Sequence, residues 1–508
     1  MRKSLLDCRP LLKSRFGYGP ALSLLACFLV YSGSVFGQSN ETANWPMFRG
    51  PEGLAQSHSK GIPLEFDDHK NVQWKVETPL GNSSPIVWDD TVFITGYDDD
   101  HLWLLALDKA DGRLLWKRDF PKAQDEDFEH QDSCPAAPTS CTDGERVFSY
   151  FGRYGLTAHD FKGNLIWEKR FASDPSAFGT GSSPIYHQGK IYLQRDTDQF
   201  SGLFCFDAES GREIWMTPRP IVTTSFATPF IWNSSAGTQL VAAGCGSLKA
   251  YDLDEGKELW TVGNLPIFIC PSPTATEDLL VFGGWTTAHI EKESMSQNLI
   301  EDLKLGQRTV LSAKDLLSEF DKNGDGALAD NELPESRLKD AFRFVDGNRS
   351  GLLEGGELAG MLTRDAAKGR NVMVAVRSGG KGDITDTHTA WETQRMLPYV
   401  ASPLIVDGLL YYAKKGGIFS CLELKTGKTI YQKRLKLGGE YYACPLQIGN
   451  HIFLGAERGT MLVLKSGREF EVVARNEFPE GIYATPAVSA NELFLRTQSH
   501  LFCIGADR

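Results

Sequence analysis

Short apolar runs of period two dominate the chain. Val92-Phe93-Ile94 and Lys190-Ile191-Tyr192-Leu193 are typical, each bounded by glycine or by Asp-Gly turns. Alternation over so few residues reads as β-strand, because successive strand side chains point to opposite faces. The runs are grouped by a phrase that recurs eight times: two small residues, a proline, then an apolar strand. It reads Ser83-Ser84-Pro85, Ala136-Ala137-Pro138, Ser182-Ser183-Pro184 and Ala227-Thr228-Pro229, then Pro271-Ser272-Pro273, Ala401-Ser402-Pro403, Ala443-Cys444-Pro445 and Ala484-Thr485-Pro486. The prolines stand 53, 46, 45, 44, 130, 42 and 41 residues apart, so six steps share a period and one is far longer. Self-similarity of this kind sets the architecture before any single residue does.

A second phrase follows the proline within most units. It runs Ala106, Asp108, Gly112, Trp116; then Ala158, Asp160, Gly163, Trp167; Cys205, Asp207, Gly211, Trp215; and Ala250, Asp252, Gly256, Trp260. Cys421, Glu423, Gly427 and Tyr431 form a weaker copy, and in the seventh unit Glu471 stands where the tryptophan belongs. Four short strands per unit make one propeller blade, so the expected fold is an all-β, eight-bladed β-propeller. Small residues before the proline let the innermost strands crowd a central channel, and proline suits the first residue of a strand. Glycine supplies a turn closed to other residues, and the tryptophan can wedge against the next blade. The eighth unit stops at Arg508 without its own tryptophan, while an orphan copy, Val72-Gln73-Trp74-Lys75, precedes the first unit. The N-terminal strand is therefore expected to complete blade eight and remove an exposed edge.

The long step carries 86 extra residues, rich in acids and helix formers, between Trp285 and Val372 of blade five. Within it Asp321, Asn323, Asp325, Ala327 and Glu332 occupy the ligand positions of a twelve-residue calcium loop, with Gly326 at the sharp turn. Ca²⁺ takes six to eight oxygens, here from the side chains, the Ala327 carbonyl and a water at the place of Ala329. A second copy places Asp346, Asn348, Ser350, Leu352 and Glu357 likewise, with Glu354 at the ninth position. Leu328 and Leu353 stand where paired loops join through a short β contact. A helix start is expected at Ser312 with Asp315 three residues on, and Leu333-Pro334 should end the first exiting helix early. The pair looks like an EF-hand module spanning 312–363, with two Ca²⁺ sites at the weak extracellular end, roughly 10⁻⁴ to 10⁻³ M.

Residues 1–37 read as an export signal: five bases up to Arg15, an apolar stretch from Ala21 to Tyr31, and a small-residue cleavage site at Val35-Phe36-Gly37. Leu24-Leu25-Ala26-Cys27 resembles a lipobox, so membrane attachment would require a lipid at Cys27. Removing the signal takes net charge from −12 to −16, which argues against nucleic acid as a partner. Residues 38–70 are an N-terminal extended segment, 71–288 blades one to the first part of five, 289–370 the insertion, and 371–508 the remaining blades. The exported, periplasmic or extracellular setting permits disulfides. Eight cysteines remain, but several sit in equivalent slots of different blades, too far apart to bridge, and read as buried thiols. His130-Gln131-Asp132 reads as solvated loop surface rather than a catalytic pair. There is no phosphate loop, no nucleophile elbow and no Cys/His metal cluster.

The eight units and their Ala-x-Asp…Gly-x-x-x-Trp phrase resemble the pyrroloquinoline-quinone (PQQ)-like β-propeller repeat family. Trp45-Pro46-Met47-Phe48-Arg49-Gly50-Pro51 and the Gly380–Asp386 stretch look typical of its exported bacterial members. The family includes quinone-dependent alcohol dehydrogenases and an outer-membrane assembly scaffold, so fold does not choose between enzyme and scaffold. The resemblance implies PQQ and a funnel Ca²⁺ for the dehydrogenases. This chain lacks the adjacent cysteines they place beside the quinone. The first reading is therefore an interaction or scaffold module with a protein or envelope polymer as partner. The alternatives are a quinone-dependent oxidoreductase and a glycan- or polymer-binding propeller.

Overall fold

The computed structural model describes residues 44–122, 133–171, 179–197, 200–219, 224–286, 295–306, 311–346, 350–366, 369–437 and 439–506. The export segment, Cys27, the His130–Asp132 pair and Asn348 lie outside these residues.

Eight four-stranded antiparallel sheets form the ring of a β-propeller, two of them extended by a fifth, parallel strand. Blade one is Ile86–Trp88, Thr91–Tyr97, His101–Asp108 and Leu114–Pro121. Blade eight is built from Ala487–Ser489, Glu492–Arg496, His500–Ile504 and, as its fourth strand, Val72–Glu77, whose Trp74 pairs with Cys503. In blade five the second strand, Leu279–Gly284, and the third, Val372–Arg377, flank the helical insertion.

The Gly-x-x-x-Trp phrase interlocks the blades. Trp116 opposes Ala106 within its own sheet. Its indole N–H donates to Phe161 O of blade two at 2.8 Å. A Cβ on Gly163 of blade two would lie 2.7 Å from the Trp116 ring, and Gly163 has φ +81°. The glycine thus serves both as a left-handed turn and as the seat for the preceding blade's tryptophan. The same clasp joins Trp74 to Lys109 and Gly112, Trp167 to Ala208 and Gly211, Trp215 to Leu253 and Gly256, and Trp391 to Leu424 and Gly427. Between blades four and five it is replaced. Trp260 donates to Gln239 of its own blade and packs edge-on against Trp232. Gly382–Asp383 then crosses back from blade five as a fifth, parallel strand beside Trp260 and Thr261. The Gly380–Asp386 stretch is therefore a substitute fastener.

Two register readings need correction. In blade two the first strand is Cys141–Thr142, and Cys141 pairs with Phe148 as Ile86 pairs with Phe93. Ser140, not Pro138, occupies the proline slot, two residues beyond the phrase read from the sequence. In blade seven Val463 opposes Ala474 immediately before the bulge, so Ala474 rather than Glu471 takes the tryptophan position.

Among the described residues the eight cysteines are unbridged, and seven are buried. Cys205, Cys421 and Cys503 sit opposite Trp215, Tyr431 and Trp74, the place alanine takes in other blades.

Candidate functional site

Two features stand out, a pair of acidic loops in the insertion and a cavity on the ring axis.

The first loop follows the helix Ala313–Phe320. Ser312 caps it reciprocally: its hydroxyl accepts from the Asp315 N–H, and the Asp315 carboxylate accepts from the Ser312 N–H. Asp321 accepts from the Gly324 and Gly326 N–H groups at 2.7 and 2.9 Å. Asn323 accepts from the Asp325 N–H, and Asp325 from the Ala327 N–H. The Glu332 carboxylate bridges the Lys322 and Ala329 amides. A short 3-10 turn, Asp330–Glu332, ends the loop, and Pro334 follows. In the second loop Asp346 accepts from the Ser350 and Gly351 N–H groups, and the Ser350 hydroxyl donates to Leu352 O. Glu357, at the start of the helix Gly355–Ala366, accepts from the Glu354 N–H. Ala327–Ala329 and Leu352–Glu354 pair antiparallel, with Leu328 opposite Leu353 and both fully buried. The lobe has its own apolar core, which includes Leu299, Leu316, Leu338 and Leu358.

The proposed ligand residues are thus gathered on two joined loops, but their carboxylates point at loop amides. Among the described residues no three His, Cys, Asp or Glu side chains meet closely enough to hold a metal ion. Glu332, Asp346 and Glu357 are nevertheless buried. Among the described residues no lysine or arginine pairs with Asp321, Asp325, Glu332 or Asp346. Buried carboxylates such as Glu332 and Asp346, met by loop amides, are oxygen donors of the kind a hard cation takes.

The axial cavity, about 230 Å³, is walled by the segments that lead into the first strands of all eight blades. Two tiers face it, at the first and third residues before the proline slot. The lower tier links blade to blade. Ser84 N–H donates to Thr139 Oγ1, Thr139 N–H to Ser183 Oγ, Ser183 N–H to Thr228 Oγ1 and Thr228 N–H to Ser272 Oγ, at 2.9–3.1 Å. Ser272 N–H continues to Ser402 Oγ, Ser402 N–H to Cys444 Sγ, and Cys444 N–H to Thr485 Oγ1. The residue before the proline slot is therefore a side-chain acceptor for the neighbouring blade, a hydroxyl or the Cys444 thiol, which alanine cannot be. That is why Thr139, and not Ala137, is the member from blade two. In the upper tier Asn82, Ala137 and Gly181 line one side, while Tyr442 and Tyr483 stack at 4.9 Å on another.

The Trp45–Pro51 stretch closes one end. Trp45 pairs with Val87 of blade one, and Pro46 O accepts from Thr142 N–H of blade two. Arg49 donates to Pro273 O and Pro403 O of blades five and six, at 3.1 and 2.7 Å. Gln56–Ser57 then adds to blade seven. Phe48, on this crossing segment, forms the cavity floor. The insertion roots at the other end. Its strand-two-to-strand-three position lies on the face where each linker enters a first strand. Thr286 lines the cavity there, and Asn371 grips its N–H and carbonyl at 3.0 Å each.

PQQ carries three carboxylates. Among the described residues lining the cavity there is no lysine, arginine or histidine to meet them, and no aspartate or glutamate to hold Ca²⁺. These residues do not fit that group. Sequence reasoning missed the aromatic tier and the floor. The recurring third position before the proline slot was the available signal.

Residues 100–265 match the family model described as outer membrane protein assembly factor BamB, a PQQ-repeat family. No curated protein matches the sequence. The fold is similar to BamB from Moraxella catarrhalis, at 13% identity and TM-score 0.52, covering 84% of this chain and 95% of that one. It is similar as well to a europium-containing methanol dehydrogenase, at 12% identity, TM-score 0.52 and 89% coverage of both chains. Quinohemoprotein alcohol dehydrogenase from Comamonas testosteroni matches at 11% identity and TM-score 0.52, covering 93% of this chain and 82% of that one. At such identities the likeness establishes the fold. Residues 100–265 carry the PQQ-type repeat, and the chain has the eight-bladed propeller fold shared by that assembly factor and those dehydrogenases.

Proposed function

We propose that this chain is an exported interaction module: a propeller that docks a protein partner, closed by its own N-terminal strand and carrying a calcium-binding EF-hand pair. One observation carries the docking reading. At the position two before the tryptophan, blades three and four place Glu213 and Glu258, whereas blades one and two place Leu114 and Leu165. These leucines are 48% and 53% exposed, and Leu115 and Ile166 beside them are exposed too. All four sit on outer edge strands, where unpaired backbone groups and apolar side chains together invite another chain. The family model's assembly-factor description agrees with a docking role, and the pairing of Val72–Glu77 with His500–Ile504 supports the closure.

In the EF-hand pair Asp321, Asn323, Asp325, the Ala327 carbonyl and Glu332 would hold one Ca²⁺. Asp346, Asn348, Ser350, the Leu352 carbonyl and Glu357 would hold the other. Bound Ca²⁺ supplies charge compensation for the buried acids and orders the lobe. The export reading rests on the N-terminal sequence. The test is capture of partners from envelope extract by the wild type and by a Leu114→Glu/Leu165→Glu variant, with and without Ca²⁺. A partner lost on substitution supports the reading. Equal capture by both forms sinks the docking surface, and calorimetry showing no heat at millimolar Ca²⁺ sinks the metal sites.

A further inference from the structure

The axial cavity has a chemistry that neither the docking edge nor the calcium loops use. We propose that it binds the end of a neutral, polyhydroxylated chain, such as a terminal hexose ring of an uncharged glycan.

Four observations point there. The described lining carries no charged side chain, so an ionic ligand would lose its hydration without a counter-charge. Arg49, beneath the floor, already spends both terminal nitrogens on the Pro273 and Pro403 carbonyls. The lower tier is amphoteric. Ser183, Thr228, Ser272 and their neighbours each accept one backbone N–H and keep a rotatable O–H and a second lone pair. Sugar hydroxyls need partners that both give and take a proton. The upper tier is lopsided. In an eight-fold ring blade seven faces blade three, so Tyr442 looks across the axis at Gly181. The stacked Tyr442–Tyr483 pair offers a flat aromatic surface against which the C–H face of a pyranose can lie. Asn82 on the Gly181 side adds an amide that donates and accepts. Finally, Phe48 stops the far end, so a chain end can enter but not thread, and about 230 Å³ suits one ring rather than a protein strand.

The test is calorimetry on the full-length exported form with maltotriose, cellotriose and chitotriose as neutral probes, and with trigalacturonate and PQQ as anionic ones. At least one neutral trisaccharide should bind one per chain, with an affinity that high salt leaves unchanged. Tyr442→Ala should weaken it about tenfold. Tyr442→Phe, which keeps the ring, should bind near wild type, and both variants should keep the wild-type far-UV spectrum. The proposal is overturned if no neutral probe binds at about 10 mM. It is overturned as well if only an anionic probe binds, or if a folded Tyr442→Ala protein binds as tightly as wild type.

Discussion

Arg496 of blade eight grips Ser83 of blade one at two points, 3.1 Å to its carbonyl and 2.6 Å to its hydroxyl. The same guanidinium donates to Thr95 O at 2.8 Å and Pro79 O at 3.0 Å. It is fully buried, and burial lowers its pKa to about 10. A cation held by four neutral acceptors therefore spans the seam where the ring closes. Arg496→Met should leave those acceptors unanswered and cost about 3 kcal/mol in denaturant unfolding. Arg496→Lys should recover only part of this, because an ammonium cannot reproduce the planar fork.

The tryptophan clasp is tested by a pair of glycines. Gly163 and Gly189 share a left-handed backbone, with φ +81° and +79°, but a Cβ on Gly163 strikes Trp116 whereas one on Gly189 meets nothing within 4 Å. Gly189→Ala should cost about 1 kcal/mol from backbone strain alone. Gly163→Ala should cost about 3 kcal/mol, the excess being the displaced ring. Equal midpoints in chemical unfolding would show that the clasp contributes nothing.

His159, on the third strand of blade two, is buried, and its Nδ1 has no hydrogen-bond partner. Burial, aided by the nearby Arg118 cation, lowers its pKa to about 4, against the partial opposition of Asp160 and Glu168. The unfolded chain binds this proton below about pH 6.5 and the folded chain only near 4. Stability should therefore fall as pH drops from 6.5 to 4, by about 3 kcal/mol. His159→Gln should flatten that part of the pH–stability curve, as read by urea midpoints at pH 7, 5.5 and 4.

Glu332→Gln and Glu357→Gln should each remove one Ca²⁺ from a stoichiometry of two, because each alters the twelfth position of its loop. Calorimetric titration reads the count directly. The cavity and the outer edges should keep their properties in both variants.

Blade number and strand positions were legible because period-two runs and the proline phrase recur together. What failed was register. Ala137 resembles Ser84 in size, but alanine has no side-chain atom to accept the neighbouring blade's N–H, so the fold selects Thr139. Similarly, Ala474 takes the tryptophan position because blade seven turns differently before its fourth strand. The two paired acidic loops were legible from spacing alone. The cavity was not, since its tiers come from eight distant strands and its floor from Phe48, which only the crossing path of residues 45–57 brings to the axis.

Pairing of Val72–Glu77 with His500–Ile504 makes a strand from the front of the chain wait for the last one. A ribosome delivers the chain from the front, so seven sheets can form while the circle still gapes. Closing so large a loop adds little entropy cost per extra residue, but the contacts that repay it arrive only at the end. Until then the seam offers an unpaired strand edge, open to other chains. Handling of the nascent protein, rather than the strength of the finished circle, then becomes the step at which yield is decided.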